Sequence, residues 1–156
     1  MKNAGYFFYL LLLGIWTGGI FMFTFIVTPV IFKSFDRDMA GSIVGRLFPG
    51  YFFFILVAVA LAAALLFFAW SARTGTAFRI SFALLVIALS LALYTNFSLH
   101  PRMQNVKQEI ASFESISSDH PSRQTFRKLH IQSAVLNRML LVDGVALLAL
   151  ATLARK

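Results

Sequence analysis

Two polar stripes stand out in a chain that is otherwise strongly apolar. Asn96 and His100 are four residues apart, so they lie on one face of a helix. His130, Ser133 and Asn137 follow at spacings of three and four, which places them on one helical face as well. Neutral imidazole binds copper, iron, zinc or haem, and asparagine supplies hydrogen bonds. Because the chain has no cysteine, His100 and His130 are the candidate metal ligands.

Two further residues extend this predicted pocket. If a helix continues through Pro101, the carbonyl group of Phe97 loses its usual helical donor and becomes a free acceptor. Arg138 is expected to extend toward the histidines and form an anion-attracting rim. His100 ends one apolar segment and His130 begins the next, so both lie at similar depth, and we expect a ligand pocket between these two segments. Structural hydrogen bonding between helices is the alternative interpretation of the same residues.

Asp143 places a carboxyl group near the middle of an apolar segment. At 100° per residue it lies about 120° from Asn137, and therefore faces away from the His130 stripe. Arg138 is about 140° away, which is poor geometry for an ion pair within the helix. A carboxyl group inside a bilayer is expected to be neutral, and either proton or cation handling or hydrogen-bonded packing would explain it. The side chains expected at the same depth are Trp16, Thr17 and Ser90.

Four apolar segments must position these residues. They cover 6–32, 51–72, 80–99 and 131–153, and a helix needs roughly 20 residues to cross a bilayer. None alternates as a barrel strand does. The first is too long for a cleaved signal, and Pro29 is expected to kink it near its end. The sequence therefore predicts an all-α, polytopic membrane protein: a single domain over 1–156 with four transmembrane helices in an antiparallel bundle.

The connections between the spans differ in length. Residues 33–50 have helical spacing and predict a short interfacial helix after the first span, ended by Pro49 and Gly50. Residues 71–79 predict a short turn. Residues 100–129 predict helical extensions of the third and fourth spans into the cytosol, with a turn at 115–122. Gly14 and Gly18 form a GxxxG pattern, which permits close approach of helices and is expected to serve packing within the bundle.

Composition restricts the class of protein further. The chain is 59% hydrophobic and only 13% charged, which excludes a soluble enzyme domain, a disordered chain and a disulfide scaffold. The net charge of +8 comes from Lys and Arg residues that flank the spans. These residues therefore indicate how the chain is oriented in the membrane, and we expect no nucleic-acid partner. Nine of these residues lie on the face with the longer connections and five on the face with the termini. We therefore expect a bacterial inner (plasma) membrane, both termini outside, and the segments after the first and third spans in the cytoplasm.

The order of several short motifs resembles a known family. They are the segment 14–21 with Trp16 and Gly18, the segment 29–32 beginning at Pro29, the segment 40–49, Asn96 with the downstream 101–102, and 126–130 followed by Ser133 and Asn137. This order resembles the domain-of-unknown-function family 4149, the transmembrane protein 205-like proteins. The resemblance implies a four-helix membrane protein with no established reaction, distantly similar to the copper-resistance D proteins and to a haem-carrying membrane protoporphyrinogen oxidase. Those relatives have a histidine in their first helix, where this chain has none.

Three functions remain open from the sequence. The first is binding or moving a small ligand or metal ion through the polar pocket between the third and fourth spans. The second is a non-catalytic structural or accessory membrane subunit, with the lipid bilayer and either a second copy or an accessory protein as partners. The third is a redox protein that depends on haem or quinone. The sequence identifies no cofactor, although a metal ion or haem would suit the histidines, and metal resistance and transport are the associated roles.

Overall fold

The computed structural model describes residues 2–69, 75–110, 112–113, 115, 117 and 119–153, and it consists of four long helices. Helix α1 comprises Lys2–Met22, a π-helical turn at Phe23–Val27, and Thr28–Ser34. Helix α2 is Arg37–Ala69. Helix α3 comprises Thr76–Tyr94, a second π-helical turn at Thr95–Leu99, and His100–Gln108. Helix α4 is Pro121–Leu153.

These helices confirm the predicted four-helix membrane bundle. All four are long and apolar enough to cross a membrane. Helix α1 packs against α2 and α4, and α3 packs against the same two helices, so the bundle is a four-membered ring. Helices α3 and α4 extend beyond the predicted apolar segments, as expected for 100–129. Residues 70–74, which include four of the nine residues of the turn predicted at 71–79, lie outside the described residues. The end of that predicted turn is wrong, because helix α3 already begins at Thr76.

The predicted short interfacial helix is wrong. Residues 37–50 are instead the first turns of α2, which continues through Pro49 without interruption. A proline inside a helix removes one N–H donor and leaves the carbonyl group four residues earlier, that of Gly45, without its helical partner. The side chain of Gln104 from α3 approaches that carbonyl, with its Nε2 atom at 3.5 Å. Packing by Val44, Phe48 and Phe52 on either side of the proline keeps the helix continuous.

A π-helical turn directly precedes the Thr-Pro or His-Pro pair in both α1 and α3. The N–H of Thr28 donates to the carbonyl of Phe23, and that of His100 to the carbonyl of Thr95, each five residues earlier. A proline clashes with the carbonyl four residues earlier in a regular α-helix, and a wider turn relieves this clash. The two helices therefore pass through Pro29 and Pro101 with local widening in place of a break.

The interior of the bundle is formed by large side chains from all four helices. The fully buried ones include Tyr9, Leu13, Trp16, Ile20, Ile55, Leu66, Leu85 and Leu147. Many other large apolar side chains are exposed, among them Phe68 at 71% and Val142 at 69%, as a surface in contact with lipid requires.

The glycines divide into two groups by their surroundings. Gly14 and Gly18 have nothing within 4 Å of the position that a Cβ atom would take, and they lie on the exposed face of α1, so the expected intramolecular packing of this GxxxG pattern is wrong. The close approach of α1 and α4 occurs instead at Gly144, where a Cβ atom would lie 2.5 Å from Cγ2 of Thr17. A glycine therefore permits close packing in this bundle only where its face of the helix meets a neighbouring helix.

Candidate functional site

A large cleft opens at the end of the bundle where α1 finishes and α4 begins. Its volume is about 910 Å³, within the range of small-molecule binding sites. Thr28 and Phe32 of α1, the first turns of α2, and the first three turns of α4 form its walls. Five basic side chains and one acidic side chain line it: Arg37, Lys107, Arg123, Arg127 and Lys128, with Asp119. The cleft is therefore strongly electropositive.

Aromatic rings form much of the remaining surface of the cleft. Phe113 packs on Phe126 with ring centroids 5.0 Å apart, and Phe126 stacks on the imidazole of His130 at 6.2 Å. Phe32 and Phe48 complete the aromatic lining. An electropositive cleft with an aromatic lining suits a molecule that has both a negative charge and an apolar part.

The connection between α3 and α4 is held against α2 by the carboxylate of Asp38. This carboxylate accepts a hydrogen bond from the hydroxyl of Ser112 and another from the N–H of Phe113, at 2.8 Å. Asp38 also lies in the first turn of α2, where a negative charge is favourable. These contacts place Phe113 in the wall of the cleft.

Lys107 reaches the cleft across a glycine pair of α2. Its ammonium group donates to the carbonyl of Gly41 at 2.8 Å. A Cβ atom at Gly45 would lie 2.6 Å from the same nitrogen, so the absence of a side chain there admits the lysine. The sequence contains the four-residue spacing of Gly41 and Gly45, but only the structure shows that these glycines make room for the Lys107 side chain from α3.

A smaller pocket of about 130 Å³ shares Thr28, Phe48 and His130 with the cleft and extends toward the membrane interior. At its inner end the hydroxyl of Tyr51 donates to Oδ1 of Asn137 at 2.6 Å. The amide of Asn137 in turn donates to the hydroxyl oxygen of Thr24 at 2.8 Å. One chain of hydrogen bonds therefore joins α2, α4 and the π-helical turn of α1. The pocket is also lined by Ser133, Arg138, Phe23 and Phe52.

The predicted residues of the fourth span are thus brought together. His130 lines both cavities, while Ser133, Asn137 and Arg138 line the inner one. Sequence reasoning missed Tyr51 and Thr24, the hydrogen-bonding partners of Asn137. Both are ordinary in apolar helices, and no spacing pattern connects them with Asn137 in a sequence of this length.

The stripe of the third span faces a different neighbour. Nδ2 of Asn96 donates to the carbonyl of Phe52 in α2 at 3.0 Å and to that of Ala92 at 2.9 Å. His100 lies edge-on against the ring of Phe52, at a centroid distance of 5.4 Å, and its Nε2 lies 3.2 Å from the amide of Gln104. The stripe is therefore directed at α2, whereas the polar contact from α4 to α3 is made by Gln132 and the hydroxyl of Tyr94.

This arrangement differs from the pocket predicted between the third and fourth spans. Neither of the two cavities is lined by Asn96 or His100; both are lined mainly by α1, α2 and α4, and α3 contributes Lys107 to the cleft. The difference arises because the rotation of α3 about its axis is set by its contacts with α2, which the spacing within α3 does not reveal. Within the described part of the chain, no group of three or more His, Asp or Glu side chains could hold a metal ion.

Asp143 faces the interior of the bundle in the opposite half of the molecule. Its side chain is 8% exposed, and its Oδ2 atom has no hydrogen-bond partner among the described residues. Thr17 and Ser90, which the sequence places at the same depth, donate to the carbonyls of Leu13 and Val86 within their own helices, both at 2.8 Å.

The fold and these surfaces define an integral membrane protein built as a four-helix bundle, with a basic cleft at one end. The chain belongs to the family described as a domain of unknown function, DUF4149, whose sequence profile matches residues 11–112. The match includes most of α1, all of α2 and α3, and Asp38 with its partner Ser112, and it ends before Phe113 and α4. No curated protein and no solved structure matches the chain.

Proposed function

We propose that this protein binds an anionic lipid in the basic cleft between α1, α2 and α4. The observation that carries this proposal is the combination of five basic side chains with four phenylalanines around one cavity of about 910 Å³. The charged groups suit a negatively charged headgroup. The aromatic lining and the inner pocket suit part of an acyl chain.

The position of the cleft supports a ligand that comes from the membrane. Its walls are the ends of helices long enough to span a bilayer. Most of the charged lining lies at the helix ends, whereas the inner pocket has one charged side chain, Arg138, together with the rings of Phe23 and Phe52. A lipid has the same order of chemistry, with charge at the membrane surface and hydrocarbon below it. The hydrogen bonds that join Tyr51, Asn137 and Thr24 close the inner end of the pocket, so they would limit how far an acyl chain enters.

Lipid selectivity tests the proposal directly. Purified protein in detergent is titrated with phosphatidylglycerol or with zwitterionic phosphatidylcholine, and bound lipid is counted by native mass spectrometry. We expect tighter binding of phosphatidylglycerol. The double variant R37A/R127A removes two cations of the cleft, each contributing about 1 kcal/mol near a membrane surface, so its affinity should fall roughly thirtyfold.

A matched control separates the cleft from the overall charge. Lys33 and Arg102 are exposed, lie toward the same end of the bundle as the cleft, and line neither cavity. K33A/R102A therefore makes the same change in net charge and should bind phosphatidylglycerol like the wild type. Equal losses in the two double variants, or equal affinity for the two lipids, would rule the cleft out as an anionic-lipid site. Displacement of the lipid by equimolar inorganic phosphate would instead show recognition of a headgroup anion alone.

A further inference from the structure

A group of buried polar side chains lies between α1, α3 and α4, in the half of the bundle away from the cleft. It consists of Tyr9 and Trp16 from α1, Ser81 from α3 and Asp143 from α4. The first three are 0% exposed and Asp143 is 8% exposed. Tyr9 interacts with both Ser81 and Asp143, which shows that three helices contribute to one cluster.

Two polar atoms of this cluster have no protein partner among the described residues. They are the indole Nε1 of Trp16 and the carboxyl Oδ2 of Asp143, while the hydroxyl of Ser81 interacts with Tyr9. Leaving such groups unbonded in a buried position costs about 1–3 kcal/mol each. An indole N–H can only donate, a hydroxyl can donate and accept, and a carboxyl group can gain or lose a proton. Together they have the chemistry to bind water and to stabilise either form of the acid.

Close packing places the indole of Trp16 beside Asp143. The ring atoms Cδ2 and Cε2 of Trp16 lie 3.7 Å from the Cβ position of Gly144, the next residue along α4. Nε1 is bonded to Cε2, so the unpartnered N–H belongs to a ring that packs against α4 at the residue directly after Asp143. Sequence spacing alone placed Trp16 at this depth, and the structure adds Tyr9 and Ser81.

The charges around Asp143 favour its neutral form. The helices packed against α4 are α1 and α3, and the described groups that they direct toward this region are Tyr9, Trp16, Thr17 and Ser81, none of which is a cation. The nearest basic residue on α4 itself, Arg138, is exposed and lines the inner pocket of the cleft. A carboxylate with no cation in a water-poor interior is strongly disfavoured.

We propose that Asp143 is a proton-binding site inside the bundle. Its carboxyl group carries a proton in the resting protein, and it releases that proton to a water molecule that enters the cluster. The O–H bond of the acid breaks, the electron pair stays on the carboxylate, and the water becomes hydronium. The N–H of Trp16 and the O–H of Ser81 stabilise the carboxylate as it forms.

Infrared spectroscopy of the protein in lipid vesicles tests this proposal. A protonated carboxyl group gives a C=O stretching band apart from the amide bands, and a carboxylate does not. We expect the wild type at neutral pH to show such a band, shifted in heavy water and replaced by a carboxylate band as the pH rises. The band should be missing in D143N and unchanged in D119N, because Asp119 is exposed.

Substitution of the donor residues gives a second measurement, which would not change if these side chains served only in packing. W16F and S81A each remove one group proposed to donate to the carboxylate once it forms, so each should shift the proton equilibrium of the band about tenfold toward the protonated form. If D143N does not fold, carbon-13 at the aspartate carboxyls of the wild type assigns the band to an aspartate, and among the four aspartates Asp143 alone is buried. A wild-type spectrum without the band would overturn the proposal, and so would a band that never exchanges or titrates.

Discussion

The contact at Gly144 allows a quantitative test of how α1 and α4 are held together. In G144A the added Cβ atom would lie 2.5 Å from Cγ2 of Thr17, against about 3.5–4.0 Å for an ordinary carbon–carbon contact. Thr17 cannot easily rotate, because its hydroxyl donates to the carbonyl of Leu13 at 2.8 Å. Relief therefore requires loss of that hydrogen bond or separation of the helices around the fully buried Trp16.

The expected change in the free energy of unfolding of G144A combines two opposing effects. Overpacking of a tight interior costs about 1–3 kcal/mol, and a contact this short belongs at the upper end. Replacing glycine by alanine in a helix returns about 1 kcal/mol. The free energy of unfolding of G144A should therefore fall by about 2 kcal/mol. The control G14A has the same change in helix propensity and open space at the new Cβ, so the two variants should differ by about 3 kcal/mol.

Denaturation of the detergent-solubilised protein, followed by circular dichroism, measures both variants. T17S removes Cγ2 but keeps the hydroxyl, so the double variant T17S/G144A should recover most of the stability lost in G144A. The coupling between the two substitutions isolates this one contact. Equal stability of G144A and G14A, or no recovery in the double variant, would refute the inferred approach of α1 to α4.

Three further substitutions test the site. Y51F removes the hydrogen bond to Asn137 but keeps the aromatic ring, so the free energy of unfolding should fall by about 1 kcal/mol; no loss in chemical denaturation would contradict a formed bond. D38A removes both acceptors that hold the connection before α4, and limited proteolysis should cut residues 109–120 faster than in the wild type; an unchanged rate would count against that anchor. G45A should displace the ammonium group of Lys107 but change stability by less than about 0.5 kcal/mol, because a flexible side chain can move into water; a larger loss would show that the lysine is structural.

The sequence predicted the number, order and type of the helices because length and hydrophobicity are properties of each segment alone. It failed at 37–50, where Pro49 and Gly50 suggested an end. The helix continues because side chains on either side of Pro49 are packed in the bundle, and because Gln104, 55 positions later, partly replaces the lost donor. Local signals for a helix end therefore cannot show whether another helix compensates for them.

The candidate site shows the same limit. The spacing of His130, Ser133 and Asn137 predicted that they share a face, and the structure places His130 in both cavities and the other two in the inner pocket. The spacing of Asn96 and His100 also predicted a shared face, yet that face meets α2 and not α4. Helical periodicity fixes which residues lie on one side of a helix, but it contains no information about which neighbour that side will meet.

The sequence by itself indicated which polar residues matter in this apolar chain, because each polar side chain inside a bilayer is energetically costly. Their partners were decided only by the tertiary structure. The side-by-side packing of α1 and α4 at Gly144 brought Trp16 to Asp143, and the π-helical turn of α1 brought Thr24 to Asn137. The physical reason is that burial depends on the composition of one segment, whereas hydrogen bonding and cavity formation depend on the relative rotation of several.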